Sequence, residues 1–136
     1  HPGEFRRLSA PLGSEQCPVD PDQRPAAACA LARAHRAVVV LKGQRTVISD
    51  GEDAWTNETG NVALATAGTG DVLTGAIAGL LAQGMTASSA ARLGAAVHGM
   101  AADAWAAEHG PSGLRAVDLA ARLPAAINSV RRRVSA

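Results

Sequence analysis

Apolar positions along this chain fall into two different patterns. In the first third, Ala37-Val38-Val39-Val40-Leu41 forms an unbroken run rich in β-branched residues. Such a run predicts a strand buried on both faces of a parallel sheet. Ahead of it, Ala26 to His35 predicts a helix of small residues that turns Cys29, Leu31 and Ala32 toward a core. Its start is marked either by Asp20-Pro21, an N-cap followed by a first-turn proline, or by Pro25. A helix that delivers the chain into a buried strand is the α/β pattern. Beyond it, Thr46-Val47-Ile48-Ser49 and Ala54-Trp55-Thr56-Asn57 predict two short strands that turn at Asp50-Gly51. The chain opens on a turn, His1-Pro2-Gly3-Glu4-Phe5, leading into a short helical segment through Leu8. From Ser9 to Pro18 it is polar and irregular.

The second pattern has helical spacing. Val72, Leu73, Ala76, Ile77, Leu80 and Leu81 predict an amphipathic helix from Val72 to Gln83, stopped by Gly84. Gly75 and Gly79 weaken that helix intrinsically, so close packing against a neighbour is their expected purpose. Thr86 caps a longer helix, Ala87 to about Glu108, with Trp105 in the core. Gly110-Pro111-Ser112-Gly113 is a loop. A last helical region runs from Asp118 to roughly Arg133, divided or kinked at Pro124.

Between the two patterns lies Thr59-Gly60-Asn61-Val62-Ala63-Leu64-Ala65-Thr66-Ala67-Gly68-Thr69-Gly70-Asp71, the centre of the chain. Its three glycines reach backbone conformations closed to residues with a Cβ. The following helix turns its first unpaired N–H groups toward the loop, an arrangement that attracts anions. Asp71 sits where loop becomes helix. It could simply favour the dipole or cap the helix. Beside a bound phosphate it would also be placed to accept a proton from an attacking hydroxyl.

Composition narrows the partners. The chain has 136 residues, 47% of them hydrophobic, and a net charge of +1. That suits one domain with a core and gives nucleic-acid binding no electrostatic support. Arg131-Arg132-Arg133 reads as a solvated, dipole-matched helix end. No apolar run reaches membrane-spanning length and nothing resembles a signal peptide. Cys17 and Cys29 show no metal-ligand spacing and read as free thiols. The expectation is a soluble cytoplasmic protein. Large side chains are scarce, with one Phe and no Tyr, and the first residue is His, which implies a piece of a larger domain.

The string Asn57-Glu58-Thr59-Gly60-Asn61, continued by Leu64-Ala65-Thr66-Ala67-Gly68-Thr69-Gly70-Asp71-Val72-Leu73-Thr74-Gly75 and Gln83-Gly84, closely resembles the ADP/ATP-dependent NAD(P)H-hydrate dehydratases. These are members of the ribokinase-like superfamily, which shares a Gly-x-Gly-Asp anion hole and catalytic aspartate. His1-Pro2-Gly3-Glu4 resembles a signature of the same family, and so do Lys42-Gly43-Gln44-Arg45-Thr46, His98-Gly99, Asp118-Leu119 and Leu123-Pro124. The resemblance implies the C-terminal half of a ribokinase-like three-layer α/β/α fold with a mainly parallel sheet. The whole chain, 1–136, would be part of one nucleotide- and substrate-binding domain.

By that resemblance Asp71 is the catalytic base, and Gly68, Thr69 and Gly70 form the anion hole. Lys42, Gly43, Gln44, Arg45, Thr46, Asn61 and Gly70 bind nucleotide, with Lys42 near the phosphates. His1, Glu4 and Asp71 meet the substrate. His98 is a weak candidate for the adenine-side wall, the commoner reading being a satisfied core histidine. The reaction implied is nucleotide-dependent dehydration of (S)-NADHX or NADPHX. Phosphorylating the ring hydroxyl makes a better leaving group than hydroxide, and the ring nitrogen's lone pair expels it. ADP, or ATP, is the donor, Mg2+ is the expected companion, and this chain offers no evident metal ligands. The full-length protein is expected to be a homo-oligomer. Two other readings stay open: a vitamin-precursor kinase of the same superfamily, which leaves His1-Pro2-Gly3-Glu4 unexplained, and an inactive nucleotide-binding fragment.

Overall fold

The structure, a computed structural model, describes residues 2–13 and 18–134; His1 and Cys17, both singled out above, lie outside them. The chain forms two compact units, His1–Asn57 and Glu58–Ala136.

The first unit contains helix α1 (Pro2–Ser9), a 3₁₀ turn (Ala10–Leu12), helix α2 (Arg24–His35) and strands β1 (Val39–Leu41), β2 (Val47–Ser49) and β3 (Ala54–Thr56). Pro25 stands in the first turn of α2, as the second of the two expected starts required. Leu31 and Ala32 are buried as expected, whereas Cys29 is only half-buried. The core gathers Phe5 of α1, Ala28 and Leu31 of α2, Leu41 and Val47.

The sheet departs from expectation. Its order is β1-β2-β3, with both pairings antiparallel: Val40 faces Ile48, and Ile48 faces Trp55. The mainly parallel sheet is therefore not what this chain forms. Connections this short permit only antiparallel neighbours, since a parallel pair needs a crossover of a dozen or more residues. The buried strand is also a different one. Val47, Ile48 and Ser49 of the central β2 are all buried, while Val39 and Val40 of β1 are only half-covered.

The β2–β3 turn shows why Asp50-Gly51 was legible. Asp50 Oδ1 accepts the amide hydrogens of Glu52 and Asp53 at 3.1 and 3.0 Å, an aspartate-turn geometry. Gly51 takes a φ of +100°. Ser49 Oγ closes the turn by donating to the Asp53 carbonyl at 2.7 Å and accepting from the Gly51 amide at 3.0 Å.

The second unit is a 3₁₀ turn (Val62–Leu64) and three helices, α3 (Thr69–Ala82), α4 (Ala87–His109) and α5 (Ala116–Val134). Their core is built from Ala63, Val97, Ala101, Ala102, Trp105, Leu114, Leu119 and Ala126. α3 ends in a Schellman arrangement: Met85 N–H reaches the Leu80 carbonyl, Gly84 N–H reaches that of Leu81, and Gly84 has a φ of +90°. Thr86 caps α4 by accepting the Ser89 amide. α5 runs unbroken through Pro124, which lies on an exposed position. Arg122 donates from both terminal guanidinium nitrogens to the two carboxylate oxygens of Glu108, at 2.9 and 2.6 Å, and so ties α5 to α4.

The glycines that permit close helix packing are not the expected pair. A Cβ on Gly75 or Gly79 would meet nothing within 4 Å, whereas one on Gly94 would lie 2.6 Å from Ile77 Cγ1 of α3. α4, not α3, supplies the gap. Because Gly79 has ordinary helical geometry and free space, Gly79→Ala should stabilise the fold by about 0.5–1 kcal/mol. Denaturant midpoints of the two proteins check this.

Candidate active site

The loop from Thr59 to Asp71 belongs wholly to the second unit. Helix α3 begins three residues earlier than its apolar spacing predicts. Its N-cap is Gly68, in the left-handed conformation at φ +86°, and the cap has no side-chain hydrogen bond. Thr69, Gly70 and Asp71 are therefore the first three helical positions. The amides of Gly68 and Gly70 have no acceptor among the described residues, while that of Thr69 turns to the Thr66 carbonyl at 3.3 Å. The Asp71 amide donates back to the Gly68 carbonyl at 3.1 Å. Unpaired first-turn amides at the positive end of a helix form a ready anion site.

Asp71 is exposed, and its carboxylate contacts no donor among the described residues. It does not cap α3, because Gly68 holds that position. What remains of the structural explanation is the helix dipole, worth about 0.3–1 kcal/mol. An unpaired carboxylate beside unpaired amides can take a proton while the amides hold an anion.

The walls of the loop are hydrogen-bonded. Thr69 is buried, and its Oγ1 lies 2.7 Å from the Leu64 carbonyl and 2.8 Å from that of Thr66, sharing one proton between them. His98 of α4 is buried, with Nε2 2.8 Å from the Thr69 carbonyl oxygen. Since the partner is an acceptor, Nε2 carries the proton and donates. Thus His98 is a satisfied core residue that pins the start of α3.

Burial pushes the His98 pKa below its ordinary 6.5, and the hydrogen bond to Thr69 offsets part of that shift. A depressed folded-state value means the unfolded chain binds the proton first. Stability is then intact above about pH 6.5 and lost as pH falls through the folded-state value. Denaturation midpoints from pH 7.5 down to 5 should show this loss. A neutral donor in its place, His98→Gln, should remove that part of the slope.

Asn61 has both ends of its amide engaged. Oδ1 accepts the Ala63 amide at 2.9 Å as N-cap of the 3₁₀ turn, and Nδ2 donates to Asp103 Oδ1 at 2.8 Å. Gly60 N–H donates to Asp103 Oδ2, also at 2.8 Å, and Thr59 Oγ1 donates to the Ala96 carbonyl at 2.9 Å. The roles of Asp103, Thr59 and Gly99 escaped the sequence reading. Thr59 and Ala96 are 37 residues apart, and Gly60 and Asp103 are 43 apart. Only the spacing of Ala96, Gly99 and Asp103 along one helix face hinted at them.

The remaining candidates lie in the first unit. Glu4 is exposed in the first turn of α1. Lys42 to Thr46 form the β1–β2 connection, with Lys42, Gly43, Gln44 and Arg45 exposed. Gly43 has a φ of +153° and Arg45 one of +60°, while Thr46 Oγ1 donates to the Gly43 carbonyl at 3.3 Å. Arg24, which sequence reasoning passed over, donates to the carbonyls of Leu41 and Lys42 at 3.0 and 3.1 Å and holds the root of this loop.

Fold and loop together are those of an α/β protein whose helix α3 opens on unpaired amides with a carboxylate on its first turn. Residues 1–125 match the NAD(P)H-hydrate dehydratase family, and the chain belongs to it. It is 45% identical, over 98% of its length, to the bifunctional NAD(P)H-hydrate repair enzyme Nnr of Moorella thermoacetica, of which it covers 25%. It is 41% identical, over 91% of its length, to the ADP-dependent (S)-NAD(P)H-hydrate dehydratase of Bacillus subtilis, of which it covers 44%. A crystal structure of the ADP/ATP-dependent NAD(P)H-hydrate dehydratase from B. subtilis, co-crystallised with ATP/Mg2+, superposes with a TM-score of 0.83 at 38% identity. That match takes in 95% of this chain and 46% of the other. The chain thus spans less than half the length of each of these relatives.

Proposed function

We propose that this chain carries the phosphoryl-handling part of an enzyme that dehydrates (S)-NADHX and NADPHX to NADH and NADPH, as the C-terminal portion of a ribokinase-like domain. The observation that carries this is Gly68: its left-handed turn leaves two amides without acceptors beside the unpaired carboxylate of Asp71. Membership of the dehydratase family supports elimination over a stable phosphorylated product, so the vitamin-kinase alternative is not favoured.

In this reading Asp71 accepts the proton of the ring hydroxyl as its oxygen attacks the terminal phosphorus of ADP or ATP. The bond from that phosphorus to the departing nucleotide breaks. The amides of Gly68 and Gly70, and that of Thr69 once released from Thr66, hold the charge on the phosphoryl oxygens. Donors of this kind contribute about 3–4 kcal/mol each. The ring nitrogen's lone pair then expels the new phosphate, and proton loss from the neighbouring ring carbon restores the reduced nicotinamide.

Nucleotide contact is assigned to Lys42, Gly43, Gln44, Arg45, Thr46, Asn61 and Gly70, and substrate contact to His1 and Glu4, all by the family resemblance. The described residues hold no group of three His, Cys, Asp or Glu able to cage a metal, so no step here is assigned to Mg2+. No helix among them is long and apolar enough to cross a membrane. Cytoplasmic location and homo-oligomeric assembly belong to the same proposal.

The experiment is a product assay on the complete gene product with NADHX and ADP or ATP. Release of NADH together with free phosphate supports dehydration. Accumulation of a stable phosphorylated compound would establish a kinase instead.

A further inference from the structure

The loop that receives the phosphoryl group is held from one side by a single helix, and the hold is charged. We propose that Asp103 on α4 is a positioning residue for the reaction, fixing the entry of the loop through Gly60 and Asn61. This rests on reading that loop as the phosphoryl cradle.

Asp103 is exposed and lies 43 residues from Gly60 in sequence, yet each of its oxygens receives one donor at 2.8 Å. A carboxylate accepting two N–H groups makes the stronger, charge-assisted kind of hydrogen bond. The orientation of the Asn61 amide follows from chemistry. Its oxygen must face the Ala63 N–H and its NH2 must face the carboxylate, so the Asp103 charge is read through Asn61 into the 3₁₀ turn beyond.

Gly60 allows the approach. At φ +99° a Cβ there would lie 2.9 Å from Leu64 Cδ1 and 3.3 Å from Gly99 Cα. One turn before Asp103, Gly99 leaves room for the Thr59 backbone, and Ala96 receives the Thr59 hydroxyl. Three residues of one helix face thus take hold of Thr59, Gly60 and Asn61. His98 of the same helix holds Thr69 at the loop's far end. Catalysis by oriented amides fails when the orientation drifts, and a displacement of about 1 Å can cost 10²-fold in rate.

The test uses Asp103→Asn and the reciprocal exchange Asp103→Asn with Asn61→Asp, both in the complete gene product. In the single variant an NH2 group replaces one acceptor oxygen, so one of the two donors loses its partner. Its kcat should fall by about 10- to 100-fold, with KM for the nucleotide little changed, and the Gly60 amide should exchange faster with solvent. In the exchange variant the amide and the carboxylate trade places. The amide on α4 accepts from Gly60 N–H and donates to the carboxylate in the loop, which still accepts from Ala63 N–H. Gly60 protection should return toward wild type, and it is the readout of the exchange because Asn61 is itself assigned to nucleotide contact. An unchanged kcat in the single variant, or Gly60 protection that the exchange does nothing to restore, overturns the proposal. Turnover retained by Asp71→Asn would instead remove the base assignment. Gly60 protection would then still report whether Asp103 holds the loop.

Discussion

Asp71→Asn is expected to lower the rate of NAD(P)H recovery from its hydrate by about 10³-fold, within the 10²–10⁴ range of a positioned general base. Nucleotide affinity should be nearly unchanged. The substitution keeps the shape of the side chain and removes only its ability to hold a proton. It also gives up the dipole contribution, at most about 1 kcal/mol, so the fold should survive. The carboxylate has no partner among the described residues, so no orphaned group is left behind. Steady-state turnover on the complete gene product, with nucleotide binding measured in parallel, separates chemistry from folding. Activity within tenfold of wild type would remove Asp71 from the reaction.

The largest loss of stability is expected from Gly99→Ala. An added Cβ would lie 2.5 Å from the Thr59 carbonyl carbon and 2.7 Å from its oxygen, and the obstruction is backbone that cannot rotate away. Either Thr59 withdraws and its hydroxyl gives up the Ala96 carbonyl, or α4 shifts within a packed core. Overpacking of this kind costs about 1–3 kcal/mol, and here the upper end applies because the contact is with main chain. For a chain of this size that is about 10 °C in Tm. Gly79→Ala is the internal control, since the same added methyl should raise Tm. A wild-type melting curve for Gly99→Ala would mean that the Thr59 approach is not held in solution.

Periodicity located every helix of the second unit, and the loop leading into α3 was readable from its glycines, Gly60, Gly68 and Gly70. The start of α3 was not. Thr69, Gly70 and Asp71 lack the apolar spacing that marks a helix, and only the left-handed Gly68 shows that the turn has already begun. The direction of the neighbour of β1 was misread because an apolar run says how deeply a strand is buried, not which way its neighbour points. The length of the loop after Leu41 carried that information, as the Asp50-Gly51 turn did for β2 and β3. Gly75 and Gly79 were judged by their cost to a helix, whereas their surroundings were decided by which face of α3 meets α4. Asp103 could not be seen because its partners are brought to it by folding. An aspartate on an exposed helix position looks like solvation until Gly60 lies against it.

α4 is 23 residues long, about 35 Å of continuous backbone. Both rims of the proposed cradle are referred to its middle turns, so the spacing between them is set by helical pitch, a hydrogen-bonded ruler, and not by the compressible filling around it. The cradle should consequently keep its dimensions up to the temperature at which the ruler itself melts. The proposed phosphoryl-group recognition and the fold should then be lost in one cooperative step, with no range of conditions in which the protein stays folded around a slackened grip.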